Sequence, residues 1–293
     1  MTGATASPAG AGRPGGPVRG AEGRVRGGVT CRAGVLLAAV LLLSSCAGGA
    51  GAGEGGGGGG PGGAGGALTE LSGEEILERA EAALLEVSSV RTSATGTGGL
   101  DARLELRVDA EGNCAGHVSR AGMGRVDIIL RHAGDAAGEV WLKPDATAWG
   151  SGGSPDAAET YADRYLHAAA DRPEVAEFVD LCRMDRVSGI DQDQLHSAER
   201  EFFREEETVH RGVPVVRVRM EAVAESATVT TTVLVATEGE PYPLHVLSLQ
   251  ETGGMSFRME TELTDHNEPF DVPVPAADLT VSLEELAPGE FPL

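Results

Sequence analysis

The most specific chemical signal in the sequence is a cysteine placed directly after an apolar run. Residues 34–43 are apolar apart from the first glycine, and Leu43-Ser44-Ser45-Cys46 follows as an aliphatic residue, two small residues and a thiol. This order is typical of a bacterial lipobox, in which the cysteine is acylated, with palmitate for example, after the leader is cleaved. The sequence therefore predicts lipidation at Cys46. The alternative is an ordinary cleavable leader in which the cysteine stands by chance.

The residues around Cys46 indicate export and tethering. Residues 1–45 contain five arginines before the apolar run, which is about half as long as a membrane-spanning helix must be, and this is the pattern of a signal peptide. Residues 46–67 carry the cysteine and a glycine-rich stretch that behaves as a flexible tether, about 25 Å long on average. We therefore expect residues 68–293 to form a domain anchored at the extracytoplasmic face of the cell membrane.

Two further cysteines, Cys114 and Cys182, remain for the exported domain once Cys31 leaves with the leader and Cys46 is acylated. An even number of thiols in an oxidising compartment favours a disulfide. Such a bond would close a long loop and stabilise the domain by roughly 4 kcal/mol. The alternative is a pair of buried free thiols, and a metal site is less favoured because the two residues lack close-spaced ligand partners.

Catalytic and metal-binding patterns are missing from the sequence. The seven histidines are scattered, without a His-Glu-x-x-His motif, and no Gly-x-Ser-x-Gly elbow occurs. Asp191-Gln-Asp193 begins like a calcium loop, but Leu195 stands where a ligand is needed. His266 is better explained by a polar loop that closes the last strand than by a metal. We therefore predict a protein that is not an enzyme and that needs no metal or cofactor.

The net charge of −22 excludes one class of partner. Such an acidic surface repels phosphate, which argues against nucleic acid and against charge-driven docking on anionic lipid. No protein partner is indicated.

Hydrophobic periodicity predicts the elements of the domain. A capping box at Ser72–Glu75 begins a helix that should end near Val87 or Ser88. Residues 100–109 then alternate between apolar and charged side chains, which indicates a strand with one buried face. Gly253-Gly254 indicates a hairpin.

A helical insert is predicted between two groups of about five strands. Ser154-Pro155 should begin its first helix, with Tyr161, Tyr165 and Leu166 on one face, and Pro173 should begin a second. Residues 191–200 are expected to add a short third helix before the strands resume at Phe202. Short connections and alternating strands argue for antiparallel pairing, so the fold class is α+β.

The order of several segments resembles the LppX/LprG family of exported lipoproteins. The resemblance extends over residues 70–275 and depends on the lipobox and the following segments: Ser88-Ser-Val-Arg-Thr-Ser93, Gly138-Glu-Val-Trp-Leu-Lys143 with Trp149, and Thr264-Asp-His-Asn-Glu-Pro-Phe-Asp-Val-Pro273. It implies a LolA-like half-barrel: a strongly curved antiparallel sheet with helices packed over its concave face. It also implies an apolar cavity that receives acyl chains, and it transfers no catalytic motif.

A cavity of this kind would be lined by apolar residues on the inward faces of the strands. The candidates are Leu104, Leu106, Val126, Ile128, Val216, Val218, Met220, Phe257 and Met259. The predicted function is that of a membrane-anchored lipoprotein that binds or carries an apolar ligand, expected to be a lipid or glycolipid. The alternative is a structural or sensing lipoprotein of the cell envelope, with a filled core, that acts through protein contacts.

Overall fold

A computed structural model describes most of the predicted domain. The described residues are 68–99, 101–132, 138–152, 155–188, 199–224, 227–286 and 290–291. The leader, the lipobox with Cys46, the tether, Leu100, Ser154 and residues 191–198 lie outside them. Within the described ranges, no helix is long and apolar enough to cross a membrane.

Twelve strands and four α-helices make up the regular structure of these residues. The strands are β1 Ser89–Thr97, β2 Ala102–Asp109, β3 Cys114–Arg120, β4 Gly124–Arg131, β5 Glu139–Pro144, β6 Tyr165–Ala169, β7 Glu199–His210, β8 Val213–Ala224, β9 Ala227–Ala236, β10 Pro243–Thr252, β11 Met255–Thr264 and β12 Thr280–Ser282. The helices are α1 Gly73–Leu85, α2 Ala146–Gly152, α3 Pro155–Tyr161 and α4 Ala176–Leu181.

All twelve strands belong to one sheet. Their order is β12-β6-β5-β4-β3-β2-β1-β11-β10-β9-β8-β7, and neighbours are antiparallel except for the short β12, which runs parallel to β6. The first and last strands of this order do not pair with each other, so the sheet is curved but not closed. The predicted α+β class with antiparallel pairing is confirmed.

Helix α1 begins where the sequence predicts and covers one face of the sheet. The Ser72 hydroxyl accepts a hydrogen bond from the Glu75 amide, and the Glu75 carboxylate accepts one from the Ser72 amide, which completes the capping box. The stripe formed by Ile76, Leu77, Ala80 and Leu84 is buried, and the helix contacts β7, β8, β9 and β10. We call the sheet face on which α1 packs the concave face.

The region between the two groups of strands is less helical than its sequence pattern predicts. Tyr165 and Leu166 do not continue α3, which ends at Tyr161; they begin β6, which pairs with β5 and β12. Pairing with both neighbours outweighs the local helical pattern. Arg200 likewise lies in β7 rather than in a third helix, because this strand pairs with β8 from Glu199 onward.

The other local predictions agree with the structure. Pro173 begins a short 3-10 turn, Pro173–Val175, that leads into α4. Gly253 and Gly254 form the β10–β11 turn with φ values of +57° and +80°, a conformation that glycine adopts without strain.

Candidate functional site

The concave face has two parts, and in the first part the predicted cavity residues are buried. Six predicted cavity residues lie there: Leu106, Val126, Ile128, Val216, Val218 and Met220. Val218 is fully buried, and its Cγ1 lies only 3.2 Å from the position that a Cβ on Gly73 would occupy. Helix α1 therefore packs closely against Val218 at Gly73.

The second part of the concave face is only partly covered. Phe257 and Met259 lie on the same face of β11 as the buried Thr261 and Leu263, because side chains alternate along a strand. Both are partly exposed, and neither belongs to the buried core cluster. Leu104 of β2 is also partly exposed and packs against the edge of that cluster. These three predicted residues share one apolar, incompletely buried surface, which we call the open apolar surface.

Small residues beside Met259 leave space on this surface. In the strand register, Met259 stands opposite Gly96 of β1 and Ser248 of β10. Glycine has no side chain and serine has one atom beyond Cβ, so neither neighbour fills the volume next to the thioether. Phe257 stands opposite Gln250, and its Cε1 lies 3.7 Å from the position that a Cβ on Gly99 would occupy.

Three apolar residues that were not predicted lie at the edge of the buried core, and one of them, Val118, stands opposite Leu104 in the strand register. Val118, Phe202 and Val229 are partly buried side chains that pack against the core cluster. Val118 was hidden because its strand also contains Gly116 and His117, which obscure the alternation. Phe202 and Val229 lie in strands that were recognised, and the alternation within those strands was the available signal.

Acidic side chains are excluded from this face. Along β1–β4 and β8–β11, the positions that share a face with the buried core residues contain no aspartate or glutamate, in a chain with 45 acidic residues. The polar groups there are mainly neutral, as in Thr231, whose hydroxyl lies 3.4 Å from that of Ser248. Burying a carboxylate under an apolar ligand would cost far more than burying a hydroxyl, so this composition suits apolar contents.

A segment that follows α4 covers the part of the concave face that β1 and β3 form. Cys182, at the end of α4, is joined to Cys114 at the start of β3, with a Cα–Cα distance of 5.5 Å. Further along, the Thr92 hydroxyl of β1 donates a hydrogen bond to the carbonyl oxygen of Val187 at 2.9 Å. The disulfide and this hydrogen bond hold residues 182–187 against β1 and β3.

His266 packs against an aromatic ring, and its Nε2 is buried without a hydrogen-bond partner among the described residues. Its ring stacks on Tyr242, with centroids 4.5 Å apart and planes inclined by 4°. Burial lowers the pKa of His266, although the nearby Asp265 carboxylate acts in the opposite direction. The next residue, Asn267, accepts a hydrogen bond from the Ser88 amide and donates one to the Tyr242 hydroxyl. The described residues contain no group of three or more side chains suited to hold a metal ion.

The fold and this surface define an α+β protein with an open antiparallel sheet and an apolar concave face. No protein-family model matches the sequence, and no curated protein matches it. Among solved structures, the chain is similar to lipoprotein LppX of Mycobacterium tuberculosis, with 14% identity, 68% of this chain and 97% of that chain covered, and a TM-score of 0.43. LppX gives its name to the family that the sequence resembles.

Two other solved structures have a comparable likeness. LprF of Mycobacterium bovis is 10% identical, with 70% of this chain and 97% of that chain covered and a TM-score of 0.46. An uncharacterized conserved protein from Thermus thermophilus is 11% identical, with 71% of this chain and 98% of that chain covered and a TM-score of 0.36. Because all three TM-scores are below 0.5, these similarities do not indicate what this protein does.

Proposed function

We propose that this protein is an exported lipoprotein, anchored to the cell membrane through Cys46, that binds an apolar ligand on the open apolar surface. The observation that carries the proposal is the position of Phe257 and Met259. Both lie on the inward face of a long strand, next to small residues, and yet neither is buried in the core. An acyl chain would cover them as α1 covers the buried residues of β8, such as Val218.

The binding energy would come from buried area. Each methylene that leaves water contributes about 0.8 kcal/mol, so a long acyl chain supplies a large gross stabilisation without any polar contact. A chain taken from a bilayer has already gained most of this energy, which keeps the net exchange between protein and membrane reversible. The proposal is therefore for a binding or carrier function without a catalytic step.

A second candidate is a structural or sensing lipoprotein with a filled core. The specific observation in its favour is the burial of six of the nine predicted cavity residues. A ligand would then have only the open apolar surface to occupy.

Two tryptophan substitutions distinguish these candidates. Met259→Trp should fill the space beside Gly96 and Ser248 with little loss of unfolding free energy, and it should exclude an acyl chain. Val218→Trp is the matched control, because overpacking the filled core should cost about 1–3 kcal/mol or more. Chemical denaturation of the two variants and of the parent measures this difference.

Native mass spectrometry of the exported protein then reports non-covalently bound lipid. We expect lipid on the parent and none, or much less, on Met259→Trp. If the parent carries no lipid, and Met259→Trp is destabilised as strongly as Val218→Trp, the filled-core candidate replaces the proposed function. Retained lipid on a stable Met259→Trp variant would exclude the site beside Met259.

A further inference from the structure

The two ends of the sheet differ in the residues that their turns expose. At one end lie the turns at 98–101, 121–123 and 253–254, which the register places side by side; we call it the glycine-turn end. At the other end lie the turns at 110–113 and 237–242 and the loop at 265–271, which we call the acidic end.

Large apolar side chains project from the glycine-turn end. Met123 is 49% exposed, Met255 is 58% exposed, and Val223, near the end of β8, is 57% exposed. Exposed apolar residues occur at both ends, since Leu85, Val209 and Val213 lie near the acidic end, and single ones need no explanation. Met123 and Met255 differ because they lie in or directly beside the turns themselves, where they would be the first to meet a surface docked on this end. Methionine suits such a contact because its side chain is flexible and adapts to irregular surroundings.

Charge favours the glycine-turn end over the acidic end. Val209 at the acidic end is 66% exposed, but the neighbouring turns and loop carry exposed carboxylates at Glu111, Glu238, Glu240 and Glu268. At the glycine-turn end, Asp101 and Glu251 are exposed, but so are Arg103 and Arg120, which form no ion pair within the described part of the chain. In a chain with a net charge of −22, this end is less acidic than the other, so phospholipid headgroups would repel it less.

We propose that the glycine-turn end docks on the membrane, with Met123 and Met255 inserted at the boundary between headgroups and acyl chains. Arg103 and Arg120 then face the lipid phosphates. The occupant of this surface is a phospholipid bilayer, and the predicted tether between Cys46 and the domain, about 25 Å long on average if it is a flexible coil, would keep the bilayer within reach. The inference rests on the proposed function in one respect, the anchor at Cys46.

Docking in this orientation connects the bilayer with the open apolar surface. Met255 is the first residue of β11, and Phe257 and Met259 follow on the same face of that strand. A chain that leaves the bilayer at Met255 would therefore meet Phe257 and then Met259 without crossing a charged side chain of β11.

Tryptophan fluorescence tests the orientation in the complete, lipidated protein. Met123→Trp and Met255→Trp are prepared, with Val209→Trp as the matched control, since all three sites are exposed. The two native tryptophans, Trp141 and Trp149, are 5% and 1% exposed and give the same background in each variant. Each variant is reconstituted on vesicles of phosphatidylcholine and phosphatidylglycerol, with or without brominated acyl chains, and only the fraction that floats with the vesicles is measured.

The expected result is a blue shift and a loss of fluorescence on brominated vesicles for Trp at 123 and 255, with neither change at 209. Equal quenching at the three sites, or quenching at 209 alone, overturns the proposal. A blue shift at 123 and 255 that rises with protein density, but without bromine quenching, also overturns it and identifies a second copy of the chain as the occupant. If the anchor at Cys46 is wrong, the protein will be missing from the floated fraction. If the proposed ligand binding is wrong, no lipid will be extracted from the protein, whatever the fluorescence shows.

Discussion

The side chain of Thr92 donates a hydrogen bond to the carbonyl oxygen of Val187, with 2.9 Å between the two atoms. Thr92 is fully buried and Val187 is 3% exposed, so no water replaces this contact at low cost. The hydrogen bond joins the first strand of the sheet to a segment 95 residues later in the chain. Together with the disulfide, it fixes the part of the concave face that α1 does not reach.

Thr92→Val should destabilise the protein by about 1–3 kcal/mol, because it keeps the shape of the side chain and leaves the buried Val187 carbonyl without its donor. Thr261→Val is the control. Thr261 is also buried, at 1% exposure, but its hydroxyl forms no hydrogen bond in the described part of the chain, so its replacement should be nearly neutral. Urea denaturation measures both variants, and equal effects would show that the Thr92 hydroxyl contributes nothing specific.

In the sequence, only the two cysteines indicate that residues 182–187 lie against the first strands of the sheet. Cys114 and Cys182 could be paired because they are the two thiols left in an exported domain. Thr92 and Val187 have no comparable signal, since a threonine in a strand and a valine in a loop occur throughout the chain. The contact depends on the curvature of the sheet, which brings distant residues together and which no local pattern encodes.

Replacing both Cys114 and Cys182 by alanine should lower the unfolding free energy by about 2–5 kcal/mol. The bond spans 68 residues of sequence, and without it the unfolded chain gains the freedom of an open loop. Thermal unfolding should show a drop of several degrees in Tm. Peptide mapping without reduction checks the bond itself, and two freely alkylated thiols in the exported protein would refute it.

The elements were easier to predict than the site. Strands such as β2 alternate cleanly, and the capping box at Ser72 fixes the start of α1, so both follow from local periodicity. The local pattern of β6 indicates a helix instead. Its residues form a strand because they pair with β5 and β12, and this pairing is not visible in the sequence of β6 itself. Core and cavity residues share the same apolar chemistry, so the sequence could not separate Val218 from Met259. In the structure, Val218 is fully buried beside α1, whereas Met259 is partly exposed.

Cys46→Ala should abolish acylation of the protein. Cys46 lies outside the described residues, and the prediction depends on its place after Leu43-Ser44-Ser45 in the sequence. Metabolic labelling with a palmitate analogue should mark the parent protein and leave the variant unlabelled. Cys31→Ala is the control, because this residue leaves with the leader and its replacement should not alter labelling. Label that persists on Cys46→Ala would exclude this residue as the lipidation site.

The partly buried ring of His266 should make the stability of the protein depend on pH in the range where histidine titrates. Burial lowers the pKa of His266 in the folded protein below its ordinary value of 6.5, so the unfolded chain binds the proton more readily. The neutral ring therefore contributes its full stabilisation above pH 6.5, and the contribution is lost as the pH falls from that value toward the lowered pKa. The pKa of Glu260 is also lowered, but this shift affects stability only at pH values below the ordinary pKa of 4.5, outside the range of His266.

His266→Phe isolates this effect, because phenylalanine preserves the stacking on Tyr242 and cannot be protonated. Between about pH 7.5 and pH 5.5, the unfolding free energy of the parent should fall more steeply than that of the variant, as the unfolded state takes up a proton that the folded state refuses. Urea denaturation at several pH values in this range gives both slopes. Parallel slopes would mean that the pKa of His266 is the same in the folded and unfolded states. A steeper fall in the variant would mean that folding raises this pKa instead of lowering it.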